Sequence, residues 1–214
     1  MSNIDAFIAP ARKETLVDVI HNRIIEIIIE EDVSPEIVLT EGRLVQQFNV
    51  SKATVREALV RLCNENILKS IPRYGYMIVH MGQKEHKDIC RFRLLMEGTA
   101  VRESFDEIAA GCQLLEDILE RHKEDKVCSV WDVWQKNMEF HEALISFSHN
   151  QIYLECLRRV MQRQALYFAQ DKWRTQKTFS DLMDSMPHTL IVSEIRAGAL
   201  EKVLEVLRKD ICGI

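Results

Sequence analysis

The chain has 214 residues, a formal net charge of −5 and a hydrophobic share of 47%. Seven glycines and four prolines over that length favour long helices and argue against an all-β fold. The richest apolar run, Ile24 to Ile29, is interrupted by Glu26 and is far too short to span a bilayer. Six cysteines occur without any C-x-x-C spacing, and the opening MSNIDAFIAPARKE has no apolar signal region. The thiols therefore read as reduced, small hydrophobes of a cytoplasmic protein.

In chain order, residues 1–13 read as a frayed leader. From Glu14 to Glu31, Leu16, Val19, Ile20, Ile24, Ile27 and Ile28 recur at helical spacing. Asp32-Val33-Ser34-Pro35 stops that helix. Thr40 is placed to cap a short second helix that turns Leu44, Val45 and Phe48 inward. Asn49, a residue type that enters the left-handed region readily, makes the turn. Ser51 caps a third helix reaching Asn64, with Val55, Ala58, Leu59 and Leu62 on its buried side. Leu68–Ile71 and Tyr76–Val79 read as two strands around a Pro72-Arg73-Tyr74-Gly75 tip. Three helices and a two-stranded wing are thus expected over 1–80. A short linker near His80 to Lys84 follows. An all-helical antiparallel bundle is expected over 84–214, with helices near 84–104, 106–125, 129–148, 150–173, 177–197 and 199–213.

Residues 43–73 carry six basic side chains against two acidic ones inside an acidic chain. Such local polarity can bind phosphates without a basic isoelectric point. On the third helix, Lys52 and Arg56 lie one turn apart with Thr54 beside them. Ser51 leaves the first backbone N–H groups free to face a phosphate. These are the positions from which a recognition helix reaches base edges. With Arg43, Arg73 and Gly75 they make up the expected DNA-binding set.

The segment NVSKATVREALVRL with its PRYGY tip resembles the GntR family of transcriptional regulators. The helices behind it resemble the FadR-type subfamily, whose C-terminal part is an FCD ligand domain. The resemblance runs from about Glu14 to Ile211. It implies a mainly α protein: a winged helix-turn-helix joined to an FCD-like bundle that binds an effector. It also implies that Arg56 grips DNA and that Lys52 stands where a base-reading Arg is usual. Lys lacks the fork that Arg offers guanine. At Gly42, where the best-known members carry a DNA-contacting Arg, this chain departs from the pattern. Arg43 is adjacent but points about 100° away on a helix.

FCD domains that bind metal carry Asp-x-x-x-His on one helix and a His on each of the last two. By spacing, the corresponding residues here are Asn137, His141, His188 and Asp210. Two ligand types are changed, leaving two imidazoles, a carboxylate and an amide oxygen. Such a set suits zinc, nickel or manganese. The competing reading is a pair of hydrogen-bonded core histidines. Arg93, in the subfamily's R-x-x-L-E pattern, has Glu97 four residues on; it either binds the carboxylate of an organic-acid effector or makes only an intrahelical pair. Arg93, Asn137, His141 and His188 form the expected effector set. Trp131, Trp134, Phe140, Tyr167, Phe168 and Trp173 read as core or dimer interface.

The function expected is that of a homodimeric repressor on double-stranded operator DNA, released or tightened by a small molecule, and not an enzyme. Two alternatives stand beside it, a metal-binding enzyme on a helical bundle and an adaptor that no longer touches DNA. The first lacks the Glu-x-x-His pairs of di-metal bundles, and no phosphate-binding glycine loop or G-x-S-x-G occurs.

Overall fold

A computed structural model describes residues 15–30, 38–124, 130–172 and 187–212. Ten helices and three strands lie within them. In the first part these are α1 (Leu16–Glu30), β1 (Val38–Leu39), α2 (Glu41–Phe48), α3 (Lys52–Asn64), β2 (Leu68–Ile71) and β3 (Gly75–Ile78). Behind them come α4 (Gln83–Glu103), α5 (Phe105–Ala110), α6 (Gln113–Glu124), α7 (Val130–Ser146), α8 (Gln151–Lys172), α9 (His188–Arg196) and α10 (Leu200–Cys212).

The helix-turn-helix forms for the local reasons its sequence offers. Thr40 Oγ1 accepts from the Arg43 amide at the start of α2. Asn49 closes that helix at φ 52°, ψ 45°. Ser51 Oγ accepts from the Thr54 amide at 3.1 Å. Val55, Ala58, Leu59 and Leu62, the four positions read as inward, are all fully buried.

The wing has three strands where two were expected. The order is β1-β3-β2, with β1 antiparallel to β3 through Val38↔Met77 and Leu39↔Tyr76. A two-residue strand carries too little alternation to stand out in sequence. Gly75 opens β3 at φ +133°, and a Cβ there would sit 2.4 Å from the Leu39 carbonyl oxygen. It is thus covered by β1 and lies off the wing tip, which is formed by Pro72, Arg73 and Tyr74.

Helix α1 is buried on more than one face. Ile20, Ile24, Ile25, Ile28 and Ile29 are covered, whereas Leu16 and Val19, part of the same helical apolar pattern, are exposed. The reason is that α1 packs both on α3 and on α7 and α8. One hydrophobic core accordingly runs from Val55 and Leu59 through α1 to Trp131, Trp134, Leu157 and Met161.

A second core fills the bundle around Phe140, Leu144, Ile191, Val203 and Leu207. No strand occurs beyond residue 84 among the described residues. The helix expected over 106–125 is broken into α5 and α6. At Gly111 a Cβ would stand 2.4 Å from the Phe147 ring, so the chain turns where that ring presses against its backbone. The helix expected over 177–197 is described only from His188, after Pro187; its earlier part lies outside the described residues.

Candidate DNA interface and buried polar cluster

On the reading head, Lys52 and Arg56 project from the first turns of α3 with side chains 68% and 58% exposed. They are not free. Arg56 Nε and Nη2 donate to the two oxygens of Glu41 at 2.8 and 2.9 Å, and Lys52 Nζ lies 3.6 Å from the same carboxylate. The Arg56 hydrogen bond holds Glu41 below the usual carboxylate range. Thr54 Oγ1 is engaged by Ser51 Oγ at 2.8 Å. Arg43 and Arg73 are exposed, the latter at φ 68° on the wing tip. Gly42 faces open space. Glu41 escaped the sequence reading. Its only local signal is an acidic residue in the first turn after a cap.

Inside the bundle, α7, α9 and α10 bring His141, His188 and Asp210 together, with ligand atoms all within 4.8 Å of one another. Three such atoms share a point no more than about 2.8 Å from each, close to the roughly 2.0–2.2 Å of zinc ligands. His141 Nε2 is 2.7 Å from Asp210 Oδ2, and His188 Nε2 is 3.6 Å from Asp210 Oδ1. His141 Nε2 is thus ion-paired to Asp210, whereas the buried His188 Nε2 stands just beyond hydrogen-bond reach of that carboxylate. The Phe140 ring stacks on His188 at 4.0 Å. Asn137 is buried one turn before His141 on α7.

Behind His141 stands a second layer. Its Nδ1 lies 2.7 Å from Glu97 Oε2. Glu97 also accepts from Arg93 Nε at 2.6 Å, and Arg93 Nη1 donates to Gln164 Oε1 at 2.8 Å. Arg93 and Glu97 are fully buried, so they form far more than a surface i,i+4 pair. Arg93 meets the histidines only through Glu97, and Nη2 alone of its nitrogens has no partner. Burial disfavours a charged His141, but Glu97, with Asp210 adding, raises its pKa above the ordinary value. Burial pushes His188 down. Burial alone would raise Asp210, but His141 and His188 hold it well below the usual carboxylate range.

Known families account for both halves. Residues 16–78 match the model of the bacterial regulatory proteins of the gntR family, and residues 88–211 match the FCD domain. The chain belongs to the GntR family, in its FCD-domain form. It is a DNA-binding transcriptional regulator and not an enzyme. Among similar proteins, the gluconate operon transcriptional repressor of Bacillus licheniformis is 26% identical over 184 residues, covering 81% of this chain and 72% of that protein. The uncharacterized HTH-type regulator YdhC of Bacillus subtilis is 29% identical over 136 residues, 61% of this chain and 59% of the relative. That match spans less than two thirds of the relative. In fold, this GntR-family chain is similar to McbR/YncC of E. coli, with a TM-score of 0.70 at 20% identity over 92% of this chain and 93% of that one. It is also similar to a GntR regulator of Rhodococcus sp. RHA1, with a TM-score of 0.63 at 18% identity over 91% and 93%. No described helix is long and apolar enough to cross a membrane.

Proposed function

We propose that this regulator is a cytoplasmic repressor that binds operator DNA as a homodimer and is controlled by a small organic acid inside the FCD bundle. Residues 1–80 form the reading head, and residues 84–214 the effector-binding and dimerisation part. The observation that carries the effector reading is the buried convergence of His141, His188 and Asp210, with His188 Nε2 beyond hydrogen-bond reach of the carboxylate. Anionic groups and polar rings are costly to bury unless something completes them.

A divalent metal fits that set. His141 and His188 offer Nε2, Asp210 a carboxylate oxygen, and Asn137 is near enough in sequence to add an amide oxygen. Zinc, nickel or manganese bound there supplies a positive centre for the effector's carboxylate. The protein's own residues prepare the place. Glu97, 2.7 Å from Nδ1 of His141, holds that ring with Nε2 turned to the cluster, where loss of its proton would free a lone pair for the metal. Arg93 and Gln164 fix Glu97 in turn. Phe140 fixes the plane of the His188 ring.

Helix α7, which carries His141, also carries Trp131 and Trp134 into the core shared with α1. A ligand that shifts α7 therefore acts on the helix that supports α3. Arg163 of α8 adds a second tie, pairing with Glu85 and reaching the Asn66 carbonyl ahead of β2. Helix-turn-helix proteins commonly place two heads on a pseudo-palindrome; exposed Phe92 and Leu95, three residues apart on α4, offer an apolar strip for a second copy. The relative named as a gluconate operon transcriptional repressor supports the repressor reading.

Elemental analysis and thermal unfolding with added zinc, nickel or manganese test the metal. The wild type is expected to take up metal and melt higher, and His141→Ala to do neither while still shifting DNA in a gel. Failure of the wild type to bind any of the three metals would remove the metal from this reading.

A further inference from the structure

We infer that Glu41 is a positioning residue for DNA recognition, holding the Arg56 guanidinium side-on so that its far end faces the groove. The geometry is specific about which edge is taken. Glu41 receives the Nε and Nη2 donors of Arg56. A guanidinium has five N–H donors, and this fork uses two of them on one edge. Nη1 and the remaining Nη2 hydrogen stay available. Their end-on direction is the one a guanine or a phosphate needs. A carboxylate acting as a block would take that end instead.

The carboxylate is itself well placed to stay put. Glu41 is the first residue of α2, behind the Thr40 cap, where the helix dipole favours a negative group. Its side chain is only 19% exposed, although its partners are more than half exposed. From β3 of the wing, the Tyr76 hydroxyl approaches Glu41 Oε1 at 3.5 Å. One carboxylate thus touches the helix before the turn, the recognition helix and the wing. Free Arg side chains lose considerable rotamer entropy on binding. A side chain already held in place has lost part of it before DNA arrives.

The inference rests on α3 being the recognition helix, and it makes a prediction opposite to that of simple charge. Removing a carboxylate beside DNA removes repulsion from phosphates, which by itself strengthens binding. A positioning role requires the reverse.

The test uses the full chain and a duplex selected from a random pool by the wild type, with a scrambled duplex as control. Arg56→Ala, Glu41→Ala, Glu41→Gln and the Arg56→Ala/Glu41→Ala double variant are compared by fluorescence anisotropy over a salt series. Thermal unfolding confirms that each is folded. Glu41→Ala is expected to lose about tenfold in affinity for the selected duplex. It should lose little on the scrambled one, keep its salt slope, and add almost nothing to Arg56→Ala. Glu41→Gln, which keeps one acceptor and the side-chain volume, should fall between and serves as the comparison if the alanine variant does not fold. Weak binding by Arg56→Ala with unchanged or tighter binding by the Glu41 variants overturns the inference. Wild-type binding by Arg56→Ala overturns the reading of α3 on which it rests.

Discussion

Replacing Glu97 with alanine should destabilise the protein more than almost any other single change, because it strands a buried charge. Glu97 and Arg93 are 0% and 1% exposed, and Glu97 takes hydrogen bonds from both Arg93 and His141. Without it, Arg93 keeps only Gln164 as a side-chain partner. Breaking a buried ion pair by removing one member costs about 3–5 kcal/mol. For a chain of this size that corresponds to a fall in Tm of about 10 °C. Circular dichroism during heating at neutral pH measures it, with Glu97→Gln as a milder control that still accepts one bond. Well-packed apolar replacement of both members should recover much of the loss, so Arg93→Met/Glu97→Leu is expected to melt above Glu97→Ala.

The effect has a definite pH dependence. Burial opposes ionisation of Glu97, but Arg93 and His141 bring its folded pKa below the ordinary value of 4.5. The stabilisation is therefore complete above pH 4.5 and is lost as pH falls through the lower, folded pKa. The gap between wild type and Glu97→Ala should narrow in acid, and also as pH rises through the raised pKa of His141, where that ring loses the charge Glu97 stabilises. A loss under about 1 kcal/mol for Glu97→Ala at neutral pH would refute the reasoning, as would a double variant less stable than the single one.

Two further outcomes are expected from glycine positions. Gly75→Ala should unfold the wing, since its Cβ would meet the Leu39 carbonyl at 2.4 Å on a backbone already at φ +133°. A loss of about 1–3 kcal/mol in chemical denaturation, with weakened DNA binding, is the expected result, and wild-type stability would contradict it. Gly42→Arg meets open space and replaces a helix-weakening residue. It should fold at least as well as wild type and bind duplex DNA more tightly in a gel shift, with a steeper salt dependence; unchanged affinity would place α2 away from the phosphates.

What the sequence determined by itself was everything set within a few residues. The Thr40 and Ser51 caps, the left-handed Asn49 and the buried quartet of α3 follow from local bonding and helical spacing, and the structure has them as read. The ligand set on α7, α9 and α10 was legible only through the resemblance to metal-binding FCD domains; His141, His188 and Asp210 do meet. Tertiary structure alone decided the rest. Strand β1 exists because β3 lies beside it, α1 buries extra faces because α7 and α8 close over it, and Leu16 and Val19 stay exposed. Arg93 could be read as a helix pair or an effector clamp until packing placed its fork on Glu97 and Gln164, the latter 71 residues away. Glu41 and Arg56, 15 residues apart on different helices, leave no periodic trace at all. Backbone geometry constrains neighbours a turn apart, but a hydrogen bond between separate elements depends on how those elements pack, and no spacing in the chain encodes that.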